Sequence, residues 1–177
     1  MSYHINYVES EDFCVEAKDQ AGKKKVMGFM ANGVGGYLKT KIDEGNRDWL
    51  DPATVRRCEE AIDVLSELSL KDPVADEDVK KAVMVAQDIL ADLSCQFTVY
   101  YDGWSFWIDY FDSCLDWDGD DAYEFLKGFA PYAVPGAYVG FIGEDGDMWS
   151  YVFDGAGGIQ KCTPSVDWRH GYIPKNE

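Results

Sequence analysis

The side chains most densely arranged for chemistry in this sequence are carboxylates. The run "DWDGDD" places Asp116, Asp118, Asp120 and Asp121 within six positions, and "GEDGD" adds Glu144, Asp145 and Asp147. Oxygen-rich loops of this kind bind hard cations such as calcium. The spacing departs from the helix-loop-helix calcium pattern: counted from Asp116, glycine falls fourth instead of sixth, and Lys127 stands twelfth where a bidentate glutamate belongs. A different cation site, shared with Asp145 or Asp147, stays open and would make the chain a metal-dependent enzyme. Asp118 and Asp120 also suit paired acid and base work, but twelve acids within residues 96–155 make any one pair uninformative.

The remaining reactive residues are sparse. His4 and His170 are the only histidines and stand at opposite ends of the chain. The five cysteines, Cys14, Cys58, Cys95, Cys114 and Cys162, form no C-x-x-C pair, so most are expected to be reduced core residues. Gly33, Gly35 and Gly36 do not make a dinucleotide fingerprint, because the third glycine would fall on Leu38. Neither a phosphate-binding G-x-x-x-x-G-K-[ST] loop nor a G-x-S-x-G nucleophile elbow occurs. The expectation is a chain that is not an enzyme, with no cofactor and no metal.

Charge is the stronger signal. Of the net −17, residues 96–155 hold −11, with Lys127 as their sole base. Two like charges about 7 Å apart repel by roughly 0.6 kcal/mol even in water, so stability alone does not favour this crowding. A solvated, solubilising face is one reading, and a surface that meets a basic groove is the other. Direct nucleic-acid binding is disfavoured, since the only basic cluster is Lys23 to Lys25. The sequence lacks an apolar run of about 20 residues and its start has no signal-peptide pattern. A cytoplasmic protein without a membrane partner is expected.

The 177 residues suit one domain, 1–177. "YHINYVES" alternates as a first strand, with Tyr3, Ile5 and Tyr7 on one side. The segment "KKKVMGFMANGVGGYLKT" reads as a short helix or strand broken by a glycine loop. Residues 51–69 begin with Asp51 as N-cap and Pro52 at the first helical position, then set Val55, Cys58, Ile62 and Leu65 on one face. A second helix carries Val79, Ala82 or Val83, Ala86, Leu90 and Leu93, giving an antiparallel helical hairpin over 51–95.

From Phe97 the period changes to two. Two strands turn at Asp102-Gly103, with Trp104, Phe106, Ile108 and Tyr110 on one face and Ser105, Trp107, Asp109 and Phe111 on the other. Both faces are partly apolar, so each is expected to be covered. A short helix capped by Asp120 or Asp121 and ending near Pro131 precedes a three-stranded meander of "AYVGFI", "MWSYVF" and "IQKC". The predicted class is α+β: a mostly antiparallel sheet, with residues 97–168 as sheet plus short helix and an inserted helical hairpin.

The run "GFAPYAVPGAYVGFIGEDGDMWSYVFDGAGG" resembles the C-terminal part of small proteins from phages and bacterial mobile elements. These end in a helix reaching an "AP" step, a short strand, a G-E-D-G turn and a W-x-x-x-F strand. Ala130 and Pro131, Gly143 to Gly146, Trp149 and Phe153 meet that pattern. The resemblance covers about residues 121–168, and the 51–95 hairpin lies outside it, looking like an insertion. It implies a mobile-element setting, in which small acidic proteins often resemble anti-CRISPR or anti-restriction inhibitors. The expected activity is inhibition of a nuclease complex, such as a CRISPR effector in the host bacterial cell. The acids would occupy its basic, nucleic-acid-binding surface. The expected contact residues are Asp102, Asp109, Asp112, Asp116, Asp118, Asp120, Asp121, Glu144, Asp145 and Asp147. Alternate residues on a strand lie about 6.7 Å apart, twice the ~3.4 Å spacing of phosphates along one DNA strand, so mimicry needs two acidic rows. An accessory acidic protein without mimicry is a further alternative. The oligomeric state is left open.

Overall fold

A computed structural model describes residues 5–9, 14–43, 50–95, 97–110, 119–143, 148–167 and 171–175. The chain is α+β, and its residues separate into two compact units. The central unit runs from Cys14 to Phe111, and the terminal unit combines Met1–Phe13 with Asp112–Glu177.

The central unit begins with strand β1, Cys14–Glu16, and then one long helical run. Helix α1 (Gln20–Gly28) passes through a π-helical stretch, Phe29–Val34, into α2 (Gly35–Asp43). Asp19 caps the start by accepting the Gly22 N–H at 2.8 Å. The expected glycine loop is therefore absent: Gly28 and Gly35 hold right-handed helical angles. The reason lies in packing, which overrides propensity when a whole stripe is buried. Val26, Met30, Val34, Leu38 and Ile42 recur every fourth residue, and all are buried. In an α-helix a four-residue step overshoots a full turn by about 40°. The wider π turn, with Gly35 N–H donating to the Met30 carbonyl, takes more residues per turn and cancels part of that drift.

Helix α3 (Pro52–Ser69) starts as its sequence signals, with Asp51 accepting from Ala53 and Thr54 backbone N–H groups at 2.9 and 3.1 Å. Helix α4 (Asp76–Asp92) buries Val79, Ala82, Val83, Ala86, Ile89 and Leu90. An ion pair from Arg57, near the start of α3, to Asp92, at the end of α4, fixes the two as antiparallel. The Gln20 amide holds their connection, donating to the Val74 carbonyl at 2.8 Å and accepting its N–H at 2.9 Å. This hairpin is no appendage. Its helices pack on α1, α2 and the π stretch, and α4 also packs on strand β2 (Phe97–Tyr101).

Strand β2 and strand β3 (Ser105–Tyr110) form the expected hairpin, and β1 adds to β3, for the order β1-β3-β2, all antiparallel. Val15, Phe97, Val99, Phe106 and Ile108 are buried on one face, where Phe29 meets Phe106 at 5.5 Å between ring centroids. Two expectations need correction here. Trp104 does not share that buried face: it lies in the turn, 63% exposed. The opposite face is also not fully covered, because Tyr100 and Trp107 are half-buried and Asp109 is exposed. Cross-strand stacking of the two rings, with centroids 5.5 Å apart and planes at 25°, removes part of their apolar area from water in place of a covering layer.

The terminal unit has five strands, Ile5–Glu9, Tyr138–Gly143, Met148–Phe153, Ile159–Asp167 and Gly171–Lys175. They pair in the spatial order first, second, third, fourth, fifth, all antiparallel. The expected meander is present, and the strand Gly171–Lys175 extends it. Helix α5 (Gly119–Phe129) lies on this sheet, with Tyr123 to Tyr151 at 5.8 Å and Phe129 to Phe153 at 6.2 Å between ring centroids. Phe125, Leu126, Phe141, Tyr151 and Phe153 make its core. The helix starts at Gly119, so Asp120 and Asp121 stand in its first turn instead of at the cap. Among the described residues no helix is long and apolar enough to cross a membrane.

Candidate functional site

The acids expected to meet a partner divide into three groups. Asp102 and Asp109 are described in full and belong to the β2–β3 hairpin. Asp120 and Asp121 are placed by their backbone in the first turn of α5. Asp112, Asp116, Asp118, Glu144, Asp145 and Asp147 lie outside the described residues.

Asp102 has a local task. Its Oδ1 accepts the backbone N–H groups of Trp104 and Ser105, both at 2.8 Å, while its own N–H donates to the Ser105 carbonyl at 3.2 Å. Gly103 takes a φ of +98° within the same turn, a conformation open to glycine. The backbone donors at Ser105 and Trp104 hold the Asp102 carboxyl below the ordinary aspartate value. Asp102 is exposed, yet its carboxylate is already oriented by the turn.

Asp109 sits toward the other end of β3, opposite Thr98. Four residues separate it from Ser105, or about 13 Å of strand. By strand alternation it shares a face with Trp107 and Ser105, and with Tyr100 across the pair. Strand β1 brings Cys14 beside Trp107 and Glu16 beside Ser105 on that face. The result is a stacked aromatic pair with acids at both ends, Asp109 and Glu16. Glu16 carries an ion pair to Lys18 at 3.3 Å, and the Lys18 ammonium stands 5.7 Å from the centre of the Trp104 ring. Sequence reasoning missed Glu16 and Cys14 because "CVE" is too short to show a period, and only its pairing with β3 puts them there.

Several of the described bases are paired with carboxylates. Lys23 reaches Asp76 at 2.6 Å, Lys24 reaches Asp72 at 3.0 Å and Lys80 reaches Glu77 at 2.9 Å. Lys71 pairs with Asp78 at 2.5 Å, Arg56 with Glu60 at 3.5 Å, and Arg57 with Asp92. Lys127, the sole base of residues 96–155, pairs with Glu124 at 3.9 Å and lies 5.9 Å from the Tyr123 ring centre. Two members of the Lys23 to Lys25 cluster are thus tied to carboxylates.

Among the described residues, no three His, Cys, Asp or Glu side chains come together in a group able to hold a metal ion. Cys58 and Cys162 are buried as expected of core thiols, whereas Cys14 is exposed and Cys95 half-buried. Cys114 lies outside the described residues.

No family model, curated protein or solved structure matches the chain.

Proposed function

We propose that the chain is a binding protein that inhibits a nuclease complex of a bacterial defence system, of the anti-CRISPR or anti-restriction type, by laying its carboxylates on a basic nucleic-acid-binding surface. The observation that carries this reading is the charge distribution: −11 within residues 96–155, where the single base, Lys127, is already paired with Glu124. A segment with so little positive charge of its own would find its counter-charge in a positively lined groove. Electrostatic complementarity of this kind speeds encounter and sets register. The neutralised Lys23 and Lys24 favour a protein partner over nucleic acid itself, since phosphate contacts need free Lys or Arg. The bacterial cytoplasm is the compartment in which such a partner would be met.

The test is binding to a purified RNA-guided nuclease, whose heteroduplex channel is positively charged. Affinity is expected to fall about tenfold or more between low and physiological salt, and to fall similarly when Asp116, Asp118 and Asp120 are together replaced by Asn. Binding indifferent to both changes would remove the mechanism.

A further inference from the structure

We propose that the groove between α3 and α4 is a docking site for an amphipathic helix of a partner protein carrying lysine or arginine beside its apolar stripe. The groove is open to solvent, has a volume of about 210 Å³ and is lined only by residues of the helical hairpin. Ala61, Val64, Val85 and Ile89 form its floor, Glu60 and Asp88 its rim, and the Arg57–Asp92 ion pair stands at one end. Along α3 the lining runs from Arg57 to Val64 at i, i+3, i+4 and i+7. That span is about 10 Å, or two helical turns. A helix laid into such a groove reads it with anchors at the same intervals. Val64 and Val85 are only half-buried, and the neighbouring Met84 is 61% exposed, so apolar surface remains for a partner to cover.

Charge selects the occupant. Asp88 has no ion-pair partner among the described residues. It stands near the carbonyl end of α4, where the helix dipole disfavours an anion, and the last turn of α4 contains no base to offset it. Glu60 makes an exposed contact to Arg56 at 3.5 Å, an exchangeable pair. A cation on an incoming helix would satisfy Asp88 and compete for Glu60 while its leucines or valines fill the floor. Phosphate would be repelled by the same rim. A second copy of the chain would bring another net −17 against it. None of the residues lining this groove is among the acids proposed to meet the nuclease.

The probe is a labelled synthetic helix of about 14 residues, roughly four turns, with leucines on one face and lysines flanking them. Its controls are a scrambled peptide of identical composition and a version with glutamate in place of lysine. Fluorescence anisotropy at physiological salt is expected to show the amphipathic lysine peptide binding about tenfold more tightly than the scramble. Val64→Ser with Val85→Ser, and separately Asp88→Lys, are each expected to weaken it about tenfold, with Asp88→Asn giving the smaller loss of the same sign. The Asp116, Asp118 and Asp120 to Asn variant is expected to leave the affinity within about twofold, which separates this site from the proposed nuclease-binding surface. Equal binding of the scramble would mean attraction to net charge alone and would overturn the proposal. Unchanged affinity in the groove variants, preference for the glutamate peptide, or self-association through the groove detected by sedimentation would do the same.

Discussion

Asp102 and Asp154 solve the same local problem at two different turns. Asp154 Oδ1 accepts the N–H groups of Ala156 and Gly158 at 2.7 and 2.8 Å, as Asp102 does for Trp104 and Ser105. In both, backbone donors favour the ionised form and hold the carboxyl below its ordinary value of 3.8. A carboxyl whose folded value is depressed contributes stability above its unfolded value and loses it as pH falls through the folded one. Replacing both residues by Asn is therefore expected to destabilise the protein near neutral pH, and the deficit should shrink as pH falls below about 3.8. Urea titrations of both proteins across that range read the difference, and a deficit that grows in acid would contradict the assignment. Ser150 poses the opposite case. It is fully buried, and its Oγ has no hydrogen-bond partner among the described residues. An orphaned hydroxyl costs about 1–3 kcal/mol of desolvation, so Ser150→Ala is expected to raise stability by about 1 kcal/mol. A lower melting temperature for that variant would indicate a partner for the hydroxyl.

The two helices of the hairpin were legible because their signals are local. Asp51 and Pro52 mark the start of α3, and one buried stripe follows at helical spacing in each helix. The helical run from Gln20 to Asp43 was not legible, since its glycines read as breakers and only its burial against α3 and α4 explains why it continues. The strand Gly171–Lys175 was hidden by Pro174. It is an edge strand, where a proline's missing donor is tolerated, and its cross-strand neighbour Pro164 lies beyond the segment Ile159–Cys162 that pairs with Met148–Phe153. Of the candidate site, the Asp102-Gly103 turn was readable as a dipeptide, while the neighbours of Asp109 depended on strand pairing. Packing also decides what removal of the hairpin does. Here α3 and α4 pack on the π stretch, and α4 packs on strand β2. Excising residues 51–95 is expected to unfold the central unit, exposing Phe29, Val99 and Phe106, with loss of the helical circular-dichroism signal well beyond the residues removed. Retention of dispersed amide resonances from residues 97–110 in the shortened chain would refute this. A milder probe is Leu65→Ala, fully buried on α3, which should cost about 2–5 kcal/mol.

Across the chain as a whole, charge gives stability and binding opposite responses to salt. The excess of seventeen negative charges repels itself, and that repulsion is screened as the Debye length falls from about 30 Å at 0.01 M to about 10 Å at 0.1 M. Salt also weakens the ion pairs, but most of their side chains are half exposed or more, as in Arg56–Glu60 at 74% and 68%, and pairs of that kind contribute little. Repulsion should win, so the melting temperature is expected to rise with added sodium chloride over this range. Affinity for a basic partner should fall over the same range, because screening removes the attraction between the two proteins. A purely solubilising acidic surface would give the first response without the second. Measuring both on one sample therefore separates a binding face from a solvated one, and it does so with the fold as its own control: weaker binding under conditions that stabilise the protein cannot be ascribed to unfolding.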